Sequence, residues 1–133
     1  MRAALATLAA LSLTMEAHAV LAPHYYEQAR REAPNVVVIE IERVDAQGPL
    51  ACAVRGRVLR AERGRLHRRG DAVAITVPCI GHEPVTPPAG GAIYQDSAAL
   101  RASRYGRAYL SNQGDLMLSQ YQIMRAANDR PQN

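Results

Sequence analysis

Two cysteines, Cys52 and Cys79, bracket the most strongly patterned stretch of the chain, and a bridge between them limits the fold more than any other feature. Val54 and Val58 alternate with Arg55 and Arg57, and further on Val73, Ile75 and Val77 alternate with Ala72, Ala74 and Thr76. Alternation of period two is the pattern of half-buried strands. Placing Cys52 opposite Cys79 predicts a hairpin in which Val54 faces Val77, Gly56 faces Ile75 and Val58 faces Val73. That register gathers both cysteines and the β-branched residues on one face, and a slip by one residue would turn them to the other. Opposed residues of a non-hydrogen-bonded pair lie about 4.5 Å apart at Cα, within reach of a disulfide. The bridge closes a loop of 28 residues, counted from Cys52 to Cys79. In the chain-entropy description such a loop contributes on the order of 3.5 kcal/mol.

The start of the chain points to an oxidising compartment. Arg2 precedes an apolar run from Ala3 to Leu13, and Ala17-His18-Ala19 has the small-x-small form of a secretory cleavage site. Residues 1–19 are expected to be a signal peptide cleaved between Ala19 and Val20, which sends the protein to the periplasm or outside the cell. The run is shorter than the roughly 20 apolar residues needed to span a bilayer, and no later stretch qualifies as a transmembrane segment. An exported domain with two cysteines reads as one disulfide. Removing 19 residues from 133 leaves 114, enough for one modest core. Residues 20–124 are expected to form a single domain and 125–133 a flexible polar tail. Phe and Trp are absent, so the core must come from Val, Ile, Leu, Met, Ala and some of the 6 tyrosines.

Pro23 to Ala33 has the features of a short helix, with Pro23 in its first turn and Pro34 ending it. Asn35 to Val44 is the strongest strand, with Val37, Ile39 and Ile41 on one face and Val36, Val38, Glu40 and Glu42 on the other. Asp45 to Pro49 is a turn, and Glu62 to Arg69 the tip of the cysteine hairpin. Pro78 to Gly91 is too rich in proline and glycine for a helix or central strand and reads as an extended loop. Ala92 to Tyr94 is expected as a brief strand, Ser97 as the cap of a helix over Ala98 to Arg104, and 107–123 as a second hairpin turning at Gln113-Gly114. In its return strand Leu116 and Leu118 are expected on one face, and Met117, Tyr121 and Ile123 on the other. The resulting fold class is mainly β: a five-stranded OB-fold-like Greek-key barrel with a short N-terminal helix and a short helix between strands 3 and 4.

Three stretches resemble the netrin-like OB-fold domain of tissue inhibitors of metalloproteinases. They are Asn35-Val-Val-Val-Ile-Glu-Ile, the Gly70-Asp start of the strand that runs into Cys79, and Gly106-Arg-Ala-Tyr-Leu-Ser-Asn-Gln-Gly-Asp-Leu-Met-Leu. The resemblance covers roughly residues 35–124 and implies a barrel and an exported protein of binding type. The inhibitors' cysteine-rich, zinc-chelating N-terminus has no counterpart, because no cysteine precedes Cys52. The resemblance therefore does not extend to metalloproteinase inhibition.

The formal net charge is +4, and all 16 basic residues are arginine. Arginines crowd the first hairpin: Arg55, Arg57, Arg60, Arg63, Arg65, Arg68 and Arg69, with His67 among them. Guanidinium forks recognise carboxylate and phosphate, so Arg55, Arg57, Arg63, Arg65, Arg68 and Arg69 are candidate contacts for a protein or other anionic surface. The hairpin carries no aromatic residues to stack bases, and no nucleic-acid partner is expected. His82 and Glu83, with His24, are the candidates for the alternative of a small periplasmic metal protein or enzyme. No serine lies in a Gly-x-Ser-x-Gly elbow. The expectation is an exported, non-enzymatic binding or accessory domain with no cofactor, meeting its partner through the arginine tip and the Pro/Gly loop.

Overall fold

Helix α1 (Pro23–Glu32) opens on a proline whose fixed φ suits a first turn, and Arg30 and Arg31 lie at the end where cations are favoured. The computed structural model describes residues 21–132, so the expected signal peptide lies outside the described residues. After α1 come strands β1 (Asn35–Ala46), β2 (Ala51–Arg63), β3 (Ala72–Ile80) and β4 (Gln95–Asp96), then helix α2 (Ser97–Ala102), and strands β5 (Tyr105–Leu110) and β6 (Leu116–Met124). The strands form one curled half-barrel sheet in the order β4-β3-β2-β1-β5-β6, antiparallel except for β3 and β4. Irregularities in the β1–β2 ladder at Val36/Val37, Val38/Ile39 and Ile41/Arg43 supply the bends a curled sheet needs. Among the described residues there are six strands where a five-stranded barrel was expected, and the brief strand foreseen at Ala92–Tyr94 falls instead at the two-residue β4. No helix among the described residues is long and apolar enough to cross a membrane.

The concave face holds the main core: Val37 and Ile39 of β1, Val54 and Val58 of β2, Val73, Ile75 and Val77 of β3, and Leu100 of α2, with both cysteines. The Cys52–Cys79 disulfide is formed, its Cα atoms 5.8 Å apart. The expected register is corrected by two residues. Cys52 pairs with Val77, Val54 with Ile75 and Gly56 with Val73, and the Cys79 N–H donates to the Leu50 carbonyl at 3.1 Å. The bridge therefore runs diagonally across the ladder. A shift of two leaves every side chain on its original face, which is why the core set is unchanged.

The second hairpin departs further. Ala108 pairs with Tyr121 but Leu110 with Leu116, so two steps along β5 match five along β6. The extra residues form a bulge in which Leu118 and Ser119 take φ of 44° and 59°. The bulge resets the alternation: Leu116, Tyr121 and Ile123 all reach the main core, Met117 joins a second cluster with Ala33, Val36 and Tyr109, and Leu118 is exposed. At α2 the capping side chain is Asp96, which accepts the Ala99 N–H, and not Ser97.

The convex face of β1 and β5 is covered too, by α1 and by residues 125–132. Expected as a flexible tail, this segment is hydrogen-bonded into the fold. The Asp129 carboxylate accepts the N–H groups of Arg125 and Ala126 at 2.7 and 3.2 Å, and the carbonyls of Ala127, Asp129 and Arg130 accept bonds from strand side chains.

Replacing both cysteines by alanine is expected to lower unfolding free energy by on the order of 3.5 kcal/mol, read from urea melts. The buried Tyr121 hydroxyl has no partner among the described residues, and its ring lies where a Cβ on Gly106 would sit. Tyr121→Phe is expected to raise stability by about 1 kcal/mol in the same melts, because the orphaned group is desolvated for no return.

Candidate functional site

Cross-strand partners share a face, and on the convex face the row through Val38 gathers three long polar side chains around one valine. Arg60 of β2 pairs with Val38 of β1, Val38 with Arg107 of β5, and Arg107 with Gln122 of β6. Arg107 is 1% exposed. Its Nε and Nη2 reach the two carboxylate oxygens of Glu62 at 2.5 and 3.2 Å. Its Nη1 donates to Gln122 Oε1 at 2.7 Å, and Nη2 also to the Asp129 carbonyl at 2.7 Å. Arg60 reaches Glu62 at 3.3 Å and the Ala127 carbonyl at 2.6 Å. Burial alone would raise the Glu62 carboxyl, but the hydrogen bond and charge of Arg107, with Arg60 beside it, hold it below its ordinary 4.5.

The arginines of the first hairpin divide into two groups. Arg55 is paired with Asp45 at 3.2 Å and Arg57 with Glu42 at 3.3 Å. Arg63 donates Nη1 to the carbonyls of Arg30, Arg31 and Ala33 at 2.8–3.1 Å, closing the C-terminal end of α1. These three candidates, with Arg60, are engaged within the fold. Arg65, Arg68 and Arg69 are exposed and have no carboxylate partner among the described residues.

The loop that carries those three, residues 64–71, is tied down at both ends. Asp71 accepts the Arg68 N–H at 2.8 Å and returns its own N–H to the Arg68 carbonyl. At the other end stands Asn35, 3% exposed. Its Oδ1 accepts the Leu66 N–H at 3.1 Å, and its Nδ2 donates to the Ser111 carbonyl and to Asn112 Oδ1, each at 3.4 Å. Gly64, at φ 82°, lies so close to the Asn35 side chain and the Pro34 carbonyl that no Cβ fits there. One asparagine thus joins the start of β1, the loop 64–71 and the β5–β6 turn. The arrangement holds three uncommitted guanidinium groups and the exposed Leu66 on a braced loop.

The Pro/Gly loop lies at the other end of the β2–β3 ladder. Gly81, His82, Glu83 and Val85 line a cavity of about 670 Å³ over the disulfide, opposite Gly48, Pro49 and Arg101. His24 stacks against Tyr25 on α1, with ring centroids 4.1 Å apart. The structure does not bring His24, His82 and Glu83 together, and no group of three or more His, Cys, Asp or Glu side chains suited to a metal occurs among the described residues. The sequence reading missed Arg107 and Glu62 as a pair and Asn35 as a brace. A cue to the first was an arginine held between Tyr105 and Tyr109 on one face of a strand. No family model, curated protein or solved structure matches the chain.

Glu62→Gln is expected to destabilise the protein by roughly 3 kcal/mol, since Arg107 would keep its charge and lose its counterion in a buried position. Because the folded-state pKa of Glu62 is depressed, its contribution is complete above its ordinary 4.5 and is lost as pH falls through the lower folded value. Urea melts from pH 7 down to 3 should therefore show a steeper acid loss in the wild type than in Glu62→Gln.

Proposed function

We propose that the chain is an exported, non-enzymatic binding domain that holds an acidic macromolecular surface on the loop 64–71. The observation that carries this reading is the division of the arginines. Those nearest the sheet are matched to carboxylates or helix carbonyls, whereas Arg65, Arg68 and Arg69 share a loop braced by Asn35 and Asp71 and have no carboxylate partner among the described residues. A braced loop loses little conformational entropy on binding. Three forked donors on a short loop suit clustered carboxylates or sulfates. Export is supported by the disulfide, which is at home in an oxidising compartment. The Pro/Gly loop lies across the ladder from this surface, so the reading assigns the contact to loop 64–71 alone.

Without the two-residue β4, the strand order is β3-β2-β1-β5-β6 with a helix between β3 and β5. This supports an open OB-type barrel, in which the second and third strands form a common binding face. The netrin-like resemblance rests on the three sequence stretches, is compatible with that strand order, and carries no inhibitory activity with it.

The test is retention on a sulfated-polysaccharide resin under a salt gradient. Arg65→Glu/Arg68→Glu/Arg69→Glu is expected to bind about tenfold more weakly at 0.15 M salt, since three exposed charge contacts contribute a few tenths to 1 kcal/mol each. Arg101→Glu, Arg104→Glu and Arg125→Glu, combined as a control of equal net charge, should stay near the wild type. Equal loss in both triple variants would reduce the effect to net charge and overturn the assignment to the loop.

A further inference from the structure

We propose that the cavity of about 550 Å³ between α1, the convex face of the sheet and the C-terminal segment binds a small organic monocarboxylate with an apolar body. The site is separate from Arg65, Arg68 and Arg69 and does not rest on the function proposed for them.

Its floor follows from the strand register. Val36 of β1 pairs with Tyr109 of β5, so the two lie side by side on the convex face. They are 3% and 5% exposed. The β6 bulge falls opposite Tyr109 and leaves it without a β6 partner. The floor is thus an apolar patch with an aromatic ring, and the volume lies in the range of roughly 300–1,000 Å³ usual for small-molecule sites.

The rim supplies charge. Arg30, Arg31 and Arg63 line the cavity with Glu27 and Glu62, a balance of three cations to two anions. The guanidinium groups are only partly committed. Arg30 gives Nη1 to Gln120 Oε1 and Arg63 gives Nη1 to the α1 carbonyls, which leaves Nε and Nη2 of each without a partner among the described residues. Among the described residues the Arg31 side chain meets only Glu27, at 4.0 Å. Glu62 already accepts from Arg107 and Arg60. The lining therefore keeps a net positive charge, and a planar carboxylate matches the guanidinium fork.

Tyr109 completes the chemistry. It lines the cavity, and its hydroxyl engages no partner among the described residues, unlike the sealed Tyr121 hydroxyl in the core. Burial pushes Tyr109 above its ordinary 10 against the pull of Arg107 and Arg30, so the hydroxyl remains a donor through the neutral range. A carboxylate held by the rim arginines can also accept from this hydroxyl while its apolar body covers Val36 and the Tyr109 ring.

The test is titration of the isotopically labelled protein with benzoate, and with benzamide as a neutral analogue of the same shape, followed by amide chemical shifts. Saturable shifts are expected at Val36, Tyr109 and the last turn of α1, with benzamide about tenfold weaker. The Arg31 side chain makes no hydrogen bond among the described residues, and its backbone carbonyl, which accepts from Arg63, survives substitution, so Arg31→Gln should stay folded and bind benzoate at least about threefold more weakly. Tyr109→Phe should weaken benzoate and leave benzamide less affected. No saturable shift up to 10 mM benzoate, equal binding of benzamide, or shifts confined to residues 64–71 would each overturn the proposal. The last outcome would leave the anion-binding loop standing on its own.

Discussion

A guanidinium group in the middle of a strand cannot be sealed from water without compensation for its charge and its five N–H donors. Arg107 is sealed, and much of the convex half of the molecule is arranged to satisfy it. Glu62 answers the charge from β2, Gln122 accepts from β6, and the Asp129 carbonyl accepts from the C-terminal segment. Gln122 in turn donates to the Arg130 carbonyl, and Arg60 donates to that of Ala127. Three separate stretches of sequence are thereby held by one side chain and its neighbours. A buried ion pair is not by itself a large source of stability relative to an apolar replacement. What it imposes here is arrangement: β2, β5, β6 and residues 125–130 must all be in place before the charge is matched.

That polar layer explains why β1 can be apolar on both sides at its start. Val37 and Ile39 enter the concave core, while Val36 and Val38 lie beneath α1 and the Arg107 network. With no Phe or Trp to fill volume, the concave core relies on β-branched residues, Leu100 and Tyr121, locked at one edge by the disulfide. The two layers share β1, so a disturbance of the outer one is passed to the inner one through the strand between them. The Tyr121 hydroxyl is the visible cost of this economy. The ring fills space against Gly106, and its polar atom finds no partner among the described residues.

The legible parts of the sequence were those governed by periodicity. Alternating valines identified the concave face of β2 and β3, prolines marked both ends of α1, and the cysteines were correctly matched. Register was less legible, because parity survives a shift of two: both registers put Cys52, Val54 and Val58 on the same face, and only the ladder distinguishes an opposed bridge from a diagonal one. The face assignment in β6 failed for a related reason. Period two holds only while the ladder is regular, and nothing in Leu118-Ser119 marks a left-handed pair as a glycine would. The C-terminal segment looked polar and therefore loose, yet its backbone carbonyls are what the buried side chains needed. Backbone acceptors carry no mark in a sequence.

The arginine cluster shows the same limit from the functional side. Composition counts Arg55, Arg57, Arg63, Arg65, Arg68 and Arg69 alike, and the chain has no lysine to set some apart. In the fold their roles differ by what lies within 3–4 Å: a carboxylate on the neighbouring strand, the open end of a helix, or solvent. A guanidinium already satisfied on one edge can still offer the other, as Arg63 does when it closes α1 with Nη1 and leaves Nε and Nη2 without a partner among the described residues. Binding capacity in this chain is therefore set less by how many arginines it has than by how many donor edges remain after the fold has taken its share. The two places where such edges collect, a braced loop in solvent and a rim above Val36 and Tyr109, favour different ligands for that reason. The first offers charge with little apolar surface, and the second offers a nearly balanced charge over an aromatic floor.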